Sequence, residues 1–128
     1  MPMSKRVKYT LEIEVKSSPN ILFNYLISPS GLAEWFCDDV DVHSGNYLFK
    51  WDGAEQEAEQ VRNVNNKSVR YRWTDGPEEE YFEMEVRVDD LTSDVALVIT
   101  DFCDAGDEAS SEQLWESQVQ QLKMAIGS

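Results

Sequence analysis

A chain of 128 residues, 41% hydrophobic and 28% charged, is long and apolar enough to bury one core and too apolar to remain disordered. Its 25 acidic and 11 basic residues leave a formal charge of -14, which repels nucleic-acid phosphates and anionic headgroups and sets both aside as partners. One domain spanning residues 1–128 is expected.

Tyr9, Leu11, Ile13 and Val15 alternate with Thr10, Glu12, Glu14 and Lys16, so the first strand has one apolar and one wet face. Ser18-Pro19 then reads as an N-cap with proline at the first helical position. Ile21, Leu22, Tyr25 and Leu26 form a helical stripe that Ser28-Pro29-Ser30-Gly31 interrupts, and a second short helix is expected over residues 32–36.

From there to residue 102 the period changes to two, with turn chemistry at Ser44-Gly45-Asn46, Asp52-Gly53, Asn65-Asn66, Asp75-Gly76-Pro77 and Asp89-Asp90 through Ser93-Asp94. A strand is expected over residues 40–43. Tyr47, Phe49 and Trp51 share one face of the next, and Val69, Tyr71 and Trp73 one face of a later one. Phe82, Met84, Val86 and Val88 alternate with charged residues, and residues 95–102 form a continuous apolar run. Residues 56–64 alternate mostly between polar groups and read as an edge strand guarded by Glu55, Glu57 and Glu59.

Ser110 and Gln113 have capping-box spacing ahead of a last helix, whose Trp115, Val119, Leu122 and Ile126 form one apolar face with Leu114, Gln118 and Ala125 beside it. The expected architecture is α+β. A curved antiparallel sheet of about seven strands carries two short helices after strand 1, and a long C-terminal helix packs over it with an apolar cleft between. That order is what a helix-grip fold requires.

The chain resembles the START-like, birch-pollen-allergen (SRPBCC) superfamily, and more narrowly the branch of the activator of heat-shock-protein-90 ATPase. The resemblance rests on residues 17–26, a proline-started helix, and on residues 29–36, which match a "leucine, two residues, tryptophan" signature at Leu32 and Trp35. Residues 47–53, 69–73 and 115–122 resemble the family's aromatic strands and tryptophan-bearing last helix. Membership implies binding of hydrophobic small molecules or lipids between sheet and helix, with cyclases, dehydratases and co-chaperones among the relatives. The chain departs from the activator branch in its acidity at Glu78-Glu79-Glu80 and over residues 104–108.

The residues that could carry chemistry are few. His43 is the sole histidine, at a strand end, so no metal site and no cofactor is expected. Cys37 precedes Asp38-Asp39, which raise rather than lower a thiol's pKa, and two cysteines without a disulfide framework fit free thiols in the cytoplasm. The basic start at Lys5, Arg6 and Lys8 lacks the apolar run of a signal peptide, and nothing approaches the roughly 18 apolar residues of a membrane insertion. A carboxylate held in the cleft would have its pKa raised by desolvation and suit acid–base work, with Glu34, Glu83 and Asp101 as candidates.

The aromatic set is the most informative feature. Trp35, Phe36, Phe49, Trp51, Tyr71, Trp73, Tyr81, Phe102, Trp115 and Val119 are the expected cavity lining, and Arg70, Arg72 or Tyr81 could orient a polar end. The function expected is non-catalytic binding of an apolar or amphipathic small molecule. Two alternatives stand beside it: a cyclase- or dehydratase-type enzyme using a buried carboxylate, and a co-chaperone-like interaction module or homodimer.

Overall fold

The computed structural model describes residues 5–127. Strand β1 (Arg6–Glu14) buries Tyr9 and Leu11 and exposes the residues between them. Helix α1 (Pro19–Ile27) follows, with Pro19 after the Ser18 N-cap, and buries Leu22, Phe23 and Leu26.

Helix α2 (Pro29–Trp35) begins at Pro29 rather than at Leu32. The reason is chemical. Ser28-Pro29 repeats the device of Ser18-Pro19: the Ser28 hydroxyl accepts the Gly31 N–H at 3.0 Å, while its own N–H donates to Asn24 at 3.0 Å and closes α1. One serine thus ends one helix and starts the next.

Strands β2 (Asp39–His43), β3 (Asn46–Trp51), β4 (Ala54–Val64), β5 (Ser68–Trp73), β6 (Phe82–Val88) and β7 (Val95–Asp104) form an antiparallel meander. With β1 beside β7 the order is β1-β7-β6-β5-β4-β3-β2. The β2–β3 turn needs left-handed backbone at both central residues, Ser44 (φ 51) and Gly45 (φ 85), as a hairpin matched to strand twist requires.

Strand β4 corrects the sequence expectation, for it lies inside the sheet, paired with β3 and β5, and not at its edge. Its alternation looked polar because its inward positions are Gln56, Ala58 and Gln60, while Glu55, Glu57 and Glu59 face solvent. The Gln60 amide donates to the Tyr47 hydroxyl at 3.1 Å and the Tyr71 hydroxyl at 3.4 Å, so an inward polar residue is satisfied. A register shift between Gln60 and Arg62 bends the strand.

Helix α3 (Glu108–Ile126) lays Trp115, Val119 and Leu122 on the sheet, as its stripe requires. It starts ahead of the expected Ser110 cap. The Ser110 hydroxyl donates to the Asp107 carbonyl at 3.0 Å, so it sits within the first turn and forms no capping box. Gly127 (φ 85) ends the helix in the left-handed conformation.

Candidate functional site

The candidate site lies between the inner face of the sheet and α3. Period-two alternation along β7 sends Val95, Leu97, Ile99, Asp101 and Cys103 to one side, and the β1–β7 register sets Tyr9 opposite Asp101. A carboxyl group and a phenol therefore stand at the end of an otherwise apolar layer. From α3, Ser111 and Trp115 reach the same place.

The result is a cleft of about 400 Å³, within the range of small-molecule sites. Phe36, Trp51, Trp73 and Trp115 border it, together with Tyr9, Asp101, Ser111, Gln56, Leu114 and Gln118, and Phe102 adjoins it. Phe36 is the centre of the ring packing: its centroid lies 5.8 Å from those of Trp51 and Trp115 and 5.0 Å from that of Phe49. Its carbonyl accepts the Trp51 indole N–H at 2.9 Å and the Gln118 amide at 3.4 Å, joining α2, β3 and α3. The rings are thus held by hydrogen bonds as well as by contact.

Asp101 is bound through both oxygens. Oδ1 accepts the Phe102 N–H at 2.8 Å and Oδ2 accepts the Trp115 indole N–H at 3.0 Å. Burial pushes its pKa up, and those two donors, with Arg6 beyond them, only partly oppose the effect. Burial likewise raises the Tyr9 phenol, with the Asp101 charge adding to it. Arg6 itself is engaged by Glu80 at 2.7 Å and Asp104 at 3.1 Å.

The expected lining residues divide into those at the cleft and those used elsewhere. Phe36, Trp51, Trp73 and Trp115 border the cleft. Phe49, Tyr71 and Val119 are fully buried in the core, where the Tyr71 hydroxyl donates to Leu26 at 2.8 Å and that of Tyr47 to Ile27 at 2.8 Å. These tyrosines satisfy carbonyls that the C-terminus of α1 leaves unpaired. Trp35 is also buried, its indole N–H donating to Tyr25 at 2.8 Å.

Phe102 meets the cleft at its backbone, because alternation turns its side chain to the opposite sheet face. There its ring is 5.3 Å from that of Tyr81, over which the Arg70 guanidinium lies at 3.9 Å. Arg70 also pairs with Glu83 at 2.8 Å, and Arg72 shares its face of β5, so these groups stand away from the cleft. Glu34 is exposed on α2. Of the three carboxylates singled out in the sequence, Asp101 alone borders the cleft.

Tyr9, Gln56 and Ser111 were not legible as site residues, although extending the alternation of Leu11 back to Tyr9 points to its face. His43 is exposed at the end of β2. Cys37 is buried and its thiol pushed up to about 12, by burial first and by Asp39 and Asp38 second. Among the described residues no group of three or more histidine, cysteine, aspartate or glutamate side chains could hold a metal ion. No helix among them is long and apolar enough to cross a membrane.

Known structures share this architecture. The Bacteroides fragilis protein BfR322 is 30% identical, with 95% of this chain and 90% of that one covered at a TM-score of 0.66. The Aha1 dimer from Colwellia psychrerythraea is 18% identical, with 94% and 96% covered at 0.79. SSP2350 from Staphylococcus saprophyticus is 11% identical, with 94% and 92% covered at 0.76. No curated protein matches the chain. The model of the START-like superfamily domain matches residues 3–128, and this chain belongs to that superfamily.

Proposed function

We propose that the chain binds an apolar or amphipathic small molecule in the cleft beneath α3 and does no chemistry on it. The observation that carries this reading is the opening of about 400 Å³ bordered by Phe36, Trp51, Trp73 and Trp115. Aromatic walls supply contact area, and a small set of polar groups supplies orientation, which is the usual composition of a ligand site. Binding is driven by removal of apolar surface from water.

The test is a thermal-shift and calorimetric screen of polyaromatics and lipids, charged and neutral, on delipidated protein. Saturable binding is expected, and Ser111→Phe, which fills the opening from α3, abolishes it while the fold stays intact. Saturation by no compound at all removes the reading. Mass spectrometry of the recovered ligand decides a second reading, to which the buried Asp101 lends weight. A chemically altered product replaces binding with a cyclase- or dehydratase-type reaction in which Asp101 moves the proton.

A further inference from the structure

Resting on that reading, we infer that the ligand carries a positively charged amine at the end that meets Asp101. Four observations converge on this class. Asp101 borders the cleft, while among the described residues no lysine, arginine or histidine does. Its oxygens are held by one donor each, Phe102 N–H at 2.8 Å and Trp115 Nε1 at 3.0 Å, so acceptor capacity remains on both. Phe36, Trp51, Trp73 and Trp115 surround the opening, and the faces of such rings attract cations. The chain's charge of -14 raises the local concentration of cations and lowers that of anions.

The alternatives fare worse in the same site. A fatty acid or other carboxylate would place a second negative charge beside Asp101 with no basic partner lining the cleft. A wholly neutral apolar ligand would cover Asp101 and leave its desolvation uncompensated. An ammonium group restores a counter-charge to a carboxyl whose burial disfavours its ionised form. The aromatic body of the ligand then occupies the space between Trp51, Trp73 and Trp115.

The experiment is calorimetry with three compounds of one shape: 2-(1-naphthyl)ethylamine, 2-(1-naphthyl)ethanol and 1-naphthylacetic acid. Wild-type protein is expected to bind the amine at least roughly tenfold more tightly than the alcohol, and the acid most weakly. Asp101→Asn brings the amine-to-alcohol ratio close to one. Glu79→Gln, which removes the same charge from an exposed loop, leaves the ratio unchanged.

Equal binding of amine and alcohol by the wild type overturns the inference and leaves the cleft reading standing. Preference for the amine that survives Asp101→Asn, or that falls equally in Glu79→Gln, assigns the effect to the overall field and also overturns it. Binding of none of the three, repeated across the wider screen, removes the cleft reading with it. If Asp101→Asn fails to fold, the wild-type ratio at about 0.01 M and about 0.5 M sodium chloride decides: a preference kept at high salt supports direct contact with Asp101, and one lost there belongs to the overall field and overturns the inference.

Discussion

Asp101 sits where two physical effects oppose each other. Desolvation favours its neutral form, while the Phe102 and Trp115 N–H donors favour the ionised one, and the balance leaves its pKa raised. The folded chain therefore holds the Asp101 proton to a higher pH than the unfolded chain, where an aspartate ionises at about 3.9. Any stability this gives is complete below that value. It declines as pH rises through the folded pKa, and above it a constant deficit remains. Denaturant unfolding of wild type and Asp101→Asn from pH 3 to 8 reads this directly, because titrations elsewhere cancel in the difference. The wild type is expected to lose ground to the variant as pH climbs through that window, then to run parallel to it. A difference that stays flat would mean the carboxyl is solvated, and one that moves in favour of the wild type would mean that the two N–H donors outweigh desolvation. The chemistry was half legible in the sequence: Asp101 was visible as one of several carboxylates, but the continuous apolar run around it hid which face it takes. Only its register against Tyr9 resolves the face.

At the scale of elements, the strands were legible because one of their faces is wet. Tyr47, Phe49 and Trp51, or Phe82, Met84 and Val86, announce their side by alternation alone. The failures share a cause. Strand β4 looked like an edge because Gln56 and Gln60 are turned inward, and a pattern of polarity cannot show that tyrosine hydroxyls await the Gln60 amide. Nor can it separate rings that fill from rings that border: Phe49 and Tyr71 follow the same alternation as Trp51 and Trp73, yet are fully buried, Tyr71 beneath its bond to the Leu26 carbonyl of α1. The junction of α1 and α2 was misread in the other direction, for Ser28-Pro29 looked like a break and is a cap. Close approach is what makes that junction exact. A Cβ on Gly31 would lie 2.7 Å from the Tyr25 Cα and 3.0 Å from the Asn24 carbonyl oxygen, both backbone atoms of α1. Alanine gains about 1 kcal/mol of helix propensity over glycine, whereas overpacking against a backbone that cannot rotate away costs roughly 1–3 kcal/mol. Gly31→Ala is therefore expected to lower the melting temperature. A variant as stable as the wild type would show that the two helices do not touch there.

For the whole molecule the controlling quantity is charge. Folding gathers 25 acidic and 11 basic side chains into one compact body, and the excess of like charge opposes that gathering. Ion pairs among the described residues act the other way, among them Arg6 with Glu80 and Asp104, Lys50 with Asp41, Arg70 with Glu83, and Arg87 with Glu12 and Glu85. Salt weakens both effects, so its net influence on stability reports which is larger. The pairs lie at least partly in water, where each contributes about 0–1 kcal/mol at most. The repulsion is spread over every acidic residue left unmatched, including the exposed Glu78 and Glu79 before β6 and Asp89, Asp90 and Asp94 after it. Raising monovalent salt from 0.01 M to 0.5 M shortens the screening length from about 30 Å to a few ångströms, below the spacing of most of these groups. Repulsion across the molecule is then removed, while pairs in direct contact near 3 Å retain part of their attraction. The melting temperature is accordingly expected to rise with sodium chloride over that range, and to rise further per unit of salt at pH 8 than at pH 5, where some carboxylates are already neutral. A fall with added salt would show that the pairs outweigh the repulsion, and that the acidity of this chain is no burden on its fold.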